Sequence, residues 1–270
     1  MREIVKTLTS FNRFYQSQEI FKAQKFIENE FKKLNLPVKL QPIHTEFGTF
    51  YNVIATLNPQ KNKKITISAH YGTYKDYPGA DDNASGIAGV IECAKRLKDE
   101  NLDISVDFVA FCLEEPPFFN TDKMGSFVYA KSIKETNTNF LGVIVFEMIG
   151  YYGENQMIPD EFKRIIDSKK GDFIVNVAND NSKEFLNKLN LKANNLKSYN
   201  LVTDNQLAEM SDNKNFWKFG LNAIMITDTA FLRNPNYHTP NDTADTLNYE
   251  NMSKVVDMVV GSIKKLNKED

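Results

Sequence analysis

Two cysteines, Cys93 and Cys112, in a chain of 270 residues are too few for a disulfide framework. Both lie inside apolar runs, where a buried, reduced thiol is the expected state. The chain also has little charge of either sign to spare: the formal net charge is −2, which offers no electrostatic footprint for a nucleic-acid partner. No apolar stretch reaches the roughly 18 residues that a membrane span needs. The opening segment MREIVKTLTSFNRFYQ lacks the apolar run of a secretory signal. A cytoplasmic location without membrane contact is therefore expected. Internal repeats, low-complexity tracts and Pro/Gly-rich linkers are missing as well. What is there is an ordinary globular composition, 41% hydrophobic and 25% charged, long enough to bury a sizeable core. One domain over residues 1–270 is expected.

Periodicity organises the chain. Ile20, Ala23, Ile27, Phe31 and Leu34 recur at helical spacing and predict an amphipathic helix over Ser17–Leu34. Short strand-like runs follow at Val38–His44, Tyr51–Leu57 and Lys64–His70, the last containing the continuously apolar or β-branched ITISA of a central strand. A helix is predicted from Ala84 through GIAGVIECAKRL, with Asp82 or Asn83 as its cap. Strands are then predicted in DISVDFVAFCL, LGVIVFE, FIVNV and NAIMITD. Helices are predicted at Gly125–Lys134, in SKEFLNKLN with Ser182 as cap, in NFWKFG, and at Asn248–Leu266. Alternating strands and helices predict an α/β fold, a three-layer α/β/α sandwich on a mixed, mostly parallel sheet with an antiparallel N-terminal edge.

Ligands of such sheets bind outside the carboxyl ends of the strands, and there the polar residues are not random. The predicted strands end in His70, in Glu114 and Glu115, in Glu147, and in Asp228 with His238 beyond it. Asp81 and Asp82 lie in the turn after the first of these strands. Carboxylates gathered in one place repel one another, and a divalent cation neutralises them best. Imidazole and carboxylate ligands together suit zinc. Two histidines and several acids suffice for two ions bridged by a shared carboxylate, about 3.5–4 Å apart. Adjacent strand residues point to opposite faces, so Glu114 and Glu115 can share a site only where the strand ends, and Pro116 and Pro117 enforce that end. Gly79 and Gly86 permit a tight turn and close helix packing around Asp82.

The blocks HYGTYKDYPGADDNASG, LEEPPFF, FEMIGYYG and DTAFLRNPNYHTPNDT, in that order, resemble the double-zinc aminopeptidase family. This is metallopeptidase family twenty-eight, which also holds glutamate carboxypeptidase and the glutaminyl cyclases. The resemblance runs from about Tyr51 to the C-terminus. It implies a zinc exopeptidase fold, two zinc ions per chain, and hydrolysis of a peptide or amino-acid amide by a metal-bound hydroxide. It further implies His70, Asp82, Glu115, Glu147 and His238 as metal ligands, with Asp82 as the bridge. Glu114 is implied as general base and Tyr237 as the group that stabilises the oxyanion, while Asp81 supports the turn.

Three departures from the family stand out. Gly72 occupies the place of an aspartate that orients the ligand imidazole, with Asp76 as a possible substitute. Asn213 stands where relatives often have histidine. PPFFNTDKM follows the glutamate pair in place of a short turn. A glutaminyl-cyclase-like transferase with one zinc, and a binding homologue weakened in catalysis, are the competing readings. His44 has no motif and reads as a surface or edge-strand residue. The aromatic PPFF and YYG segments read as packing.

Overall fold

In the computed structural model, which describes residues 1–136 and 139–266, the elements follow in this order. They are α1 (Arg2–Thr9), α2 (Glu19–Lys33), β1 (Val38–Thr45), β2 (Gly48–Leu57), β3 (Lys63–His70), α3 (Gly86–Leu97), β4 (Ser105–Phe111) and α4 (Gly125–Glu135). Then come β5 (Asn139–Glu147), β6 (Phe173–Ala178), α5 (Lys183–Leu189), β7 (Lys197–Val202), α6 (Asn213–Lys218), β8 (Ala223–Thr227) and α7 (Tyr249–Leu266). Residues 137–138 and 267–270 of the expected 1–270 unit lie outside the described residues.

The eight strands form one sheet in the order β1-β2-β4-β3-β5-β8-β6-β7. Strands β4, β3, β5 and β8 run parallel, and β1 and β2 form the expected antiparallel edge. The far edge adds a second kind of mixing, for which the sequence held no expectation: β6 is antiparallel to β8, and β7 is parallel to β6. The central strands have side chains on two covered faces, as parallel strands require. On one face Phe108, Ile144, Phe146 and Ile224 pack with α2, α3, α5 and α7. On the other, Val109, Phe111, Val143 and Val145 pack with Tyr129 and Ala130 of α4 and Phe216 of α6. The layers are thus the predicted α/β/α. Among the described residues no helix is long and apolar enough to cross a membrane.

Two elements escaped the sequence reading. Helix α1 is short and buries only Val5 and Leu8, too few apolar positions to set a period. Strand β7 is an edge strand whose one buried residue is Leu201. One cap and one helix start also need correction. Ser182 does not cap α5; Asn179 accepts the Ser182 N–H instead, and the Ser182 hydroxyl accepts the N–H of Ala223. Regular helix begins at Gly86 rather than Ala84, after an irregular turn over Ala80–Ser85 in which Asp82 and Asn83 are non-helical. Of the two predicted caps it is Asn83 that serves, accepting the Gly86 N–H at 3.0 Å.

The chain leaves β3 for β4 on one side through α3, then returns past β3 to β5 on the other through α4. Neighbouring connections therefore diverge at the carboxyl ends of β3 and β5, and this switch point opens a crevice. His70 ends β3 and Glu147 ends β5.

Candidate metal centre

The turn that carries Asp82 is pinned from both sides. Gly79 adopts φ +56, and a Cβ there would lie 2.3 Å from the carbonyl oxygen of Asp82. The fully buried guanidinium of Arg13 donates to the carbonyls of Leu8, Tyr71 and Gly79. The carboxylate of Asp242 accepts the N–H groups of Asp81 and Asp82 at 2.9 and 3.0 Å. Asn83 ties the turn to the end of β5: its amide donates to Phe146 O, and its oxygen accepts the Met148 N–H. The Asp82 side chain is left to project into the crevice.

Two triads of ligand-type side chains meet there. His70, Asp82 and Glu147 form one, and Asp82, Glu115 and His238 form the other; a further group joins His70 to Glu114 and Glu115. His70 Nε2 lies 3.3 Å from Asp82 Oδ1, 3.4 Å from Glu147 Oε2 and 3.8 Å from Glu114 Oε2. His238 Nε2 lies 3.0 Å from Asp82 Oδ2 and 3.5 Å from Glu115 Oε1. Six side chains converge, His70, Glu114, Glu115 and Glu147 from the strand ends, His238 from the loop beyond and Asp82 from the turn. Glu114 and Glu115 manage it because Leu113 takes a positive φ of 59, which turns the chain just past β4. Tyr237 lies at the rim, its ring stacked on His238.

Other acids of the same loops are turned away. The Asp81 carboxylate accepts Gly150 N–H and the amide of Asn234, and Asp228 accepts the N–H groups of Tyr151 and Ala230. Asp81, expected to support its own turn, thus ties that turn to Gly150 and Asn234, and Asp228 is likewise spent on loop amides rather than joining either triad. His44 lies on edge strand β1, its Nδ1 3.0 Å from Thr49 Oγ1. Asn213 donates to Ala208 O beside the start of α6. Cys93 and Cys112 are buried and unbridged.

The electrostatics follow from packing acids out of water. Burial pushes Glu114 well up, helped by Glu115, Glu147 and Asp212 and opposed by His70. Burial and the charge of Asp82 raise Glu115 to about 7 against the pull of His238. Burial would also raise Asp82, but His238 and His70 outweigh it and hold that carboxyl below the usual aspartate range. His238 is raised to about 9, since Asp82 and Glu115 overcome its desolvation.

A divalent cation fits this donor set. Glu115 Oε1 and His238 Nε2 are buried and lie within 3.5 Å of each other, yet neither has a hydrogen-bond partner among the described residues. Atoms that converge without bonding one another are what a shared cation requires. His70 Nδ1 is also buried without a partner. Neither exposed Asp76 nor a carbonyl supplies one, and a Cβ at Gly72 would make only an ordinary contact, with Arg13 O at 3.8 Å.

Several contributors to the site were not anticipated. Ser211 donates to Glu147 Oε2 at 2.5 Å. Asp242 falls inside the block DTAFLRNPNYHTPNDT without a role assigned to it, and Arg13 carries no motif at all. Beside Glu147 and Tyr237 opens an apolar cavity lined by Phe162, Val177, Met225 and Phe231 among others. Its walls come from β6, β8 and loops scattered over the second half of the chain.

Comparison with known proteins agrees with this architecture. The profile of Peptidase family M28 matches residues 52–263. The protein YfbL of Escherichia coli (strain K12) is 36% identical over 255 residues, covering 88% of this chain and 78% of that protein. A probable leucine aminopeptidase of Arthroderma otae is 24% identical over 285 residues, covering 98% of this chain and 71% of its own. Among solved structures, the aminopeptidase from Aneurinibacillus sp. strain AM-1 superposes with a TM-score of 0.77 at 18% identity, over 98% of this chain and 92% of that one.

Proposed function

The chain belongs to peptidase family M28, and on that footing we propose that it is a two-zinc aminopeptidase that releases an apolar residue from the N-terminus of a peptide or amino-acid amide. The observation that carries two ions is the double membership of Asp82, which stands in the triad with His70 and Glu147 and in the triad with Glu115 and His238. His70 and Glu147 would hold one ion, Glu115 and His238 the other, and Asp82 would bridge them. When bound, such ions polarise the scissile carbonyl and acidify a water at neutral pH.

The remaining steps belong to the protein. Glu114 reaches the same place but stands in no group with Asp82, which suits it to proton transfer rather than ligation. Its raised carboxyl can take a proton from the attacking water and hand it to the leaving amine. Burial, then the neighbouring acids, keep the Tyr237 phenol protonated, so it can donate to charge that develops on the carbonyl oxygen. The apolar cavity beside Glu147 and Tyr237 would receive the side chain of the N-terminal residue. The name of the Arthroderma otae relative supports that choice of substrate.

Two measurements test this. Elemental analysis of zinc-loaded, buffer-exchanged protein reads stoichiometry, with about two ions per chain expected. Aminoacyl p-nitroanilides, free and N-blocked, read activity; leucyl and methionyl substrates should be cleaved, and blocked ones should not. One zinc with cyclisation of N-terminal glutaminyl peptides and no hydrolysis would replace this reading with a cyclase. Loaded protein inert on both substrates would indicate a binding homologue.

A further inference from the structure

The candidate ligands are not held alike. Glu147 is fixed by Ser211, and the backbone of Asp82 by Asp242. His70 is fully enclosed. His238 is the most exposed of them: its side chain is 24% exposed, it lies on a loop with a positive φ of 54, and, like that of His70, its ring has no hydrogen bond among the described residues. An imidazole ligand is ordinarily oriented by a hydrogen bond from its other ring nitrogen.

Stacking takes that place. The Tyr237 ring lies 3.8 Å from the His238 ring at 15°, and the Tyr74 ring 4.1 Å away at 5°. Two nearly parallel rings that close cannot share one face, so the imidazole is sandwiched. Tyr237 precedes His238 in the chain and moves with it. Tyr74 does not: it belongs to the segment between β3 and the Asp82 turn, whose far end Arg13 holds at Gly79. Tyr74 therefore registers the His238 ring against Asp82.

We propose that Tyr74 is a positioning residue, the fixed jaw of an aromatic clamp that keeps His238 Nε2 aimed at Asp82 and Glu115. The proposal rests on reading His238 as a metal ligand. It requires the ring of Tyr74 and not its hydroxyl.

The three histidines of the chain make the clamp directly observable. Their imidazole C–H resonances can be assigned with His44→Gln and His238→Gln, and ring currents from both faces should shift that of His238 upfield. In Tyr74→Ala and Tyr74→Leu the resonance should move back, and in Tyr74→Phe it should stay. Zinc titration of metal-free protein should show about tenfold weaker binding at one of two sites in the Ala and Leu variants and a change under about twofold in the Phe variant. A role in loop packing alone would lower the unfolding midpoint of metal-free protein and leave zinc affinity unchanged. Unchanged affinity in both Ala and Leu variants, or an equal loss in Phe, overturns the clamp. If wild-type protein takes up no zinc, the ligand reading has failed. The resonance then decides the clamp by itself: a His238 signal unmoved in Tyr74→Ala refutes it.

Discussion

Glu114 and Gly72 give the sharpest tests at the scale of single residues. Glu114→Gln keeps the shape of the side chain and removes its ability to accept a proton. We expect metal content to be retained and kcat to fall about 10²–10⁴-fold; near-normal turnover with metal bound would remove Glu114 from its role. Gly72→Asp addresses the buried, unpartnered Nδ1 of His70. A Cβ there would make only an ordinary contact, with Arg13 O at 3.8 Å, and an added acceptor should tighten metal binding at that triad, by up to about tenfold. Calorimetric titration of the metal-free variant reads this, and equal or weaker affinity would show that the ring needs no such partner. The residues of both triads were legible in the sequence because each lies at a strand end or in a recognisable block. The partners that hold them, Ser211 and Asp242, were not, since a hydrogen bond between residues some 60 to 160 positions apart leaves no local pattern.

Among the elements, the turn into α3 bears most on the site. A Cβ on Gly86 would meet Asn83 Oδ1 at 2.3 Å and Ala69 Cβ at 2.9 Å, so helix, turn and β3 are packed without slack. Gly86→Ala should cost about 1–3 kcal/mol of stability through overpacking, read as a lower urea midpoint for metal-free protein. It should also weaken metal binding, because Asn83 ties this turn to the end of β5. A variant as stable as wild type would mean that the turn relaxes at no cost. The buried strands β3, β4, β5 and β8 were readable from their apolar runs. Helix α1 and strand β7, which bury few side chains, were not, because their positions are set by the neighbours they dock against.

The whole molecule carries an acidic interior beyond the triads. Burial raises Asp212 and Asp242 to about 7 and Asp228 to about 6. Folding thus lifts these carboxyls above their unfolded values, and the folded chain binds the extra protons. Their stabilisation is complete below an unfolded aspartate pKa of about 4 and is lost as pH rises through 6 to 7. The melting temperature of metal-free protein should therefore fall between about pH 5 and pH 8. Metal binding strengthens over the same range as ligands deprotonate, and bound metal stabilises the fold by mass action. Calorimetry with and without zinc should show the gap between the two forms widening with pH; a metal-free melting temperature that climbs from pH 5 to pH 8 would contradict this account.

Local information was enough for the α/β class, the buried central strands, and a set of histidines and acids at their carboxyl ends, since hydrophobic periodicity and strand-end position are properties of neighbouring residues. Direction was not local. Asp81 and Asp82 are adjacent, yet one accepts the Gly150 N–H and the Asn234 amide while the other faces both histidines. Asp228 also ends a strand and is spent on loop amides. The antiparallel step between β8 and β6, the apolar cavity, the Arg13 brace and the Tyr74 stack on His238 likewise arise only in the folded chain. The crevice at the switch point gathers segments from across the sequence, and the backbone turns at Leu113 and His238, set by that packing, determine where the side chains there can point.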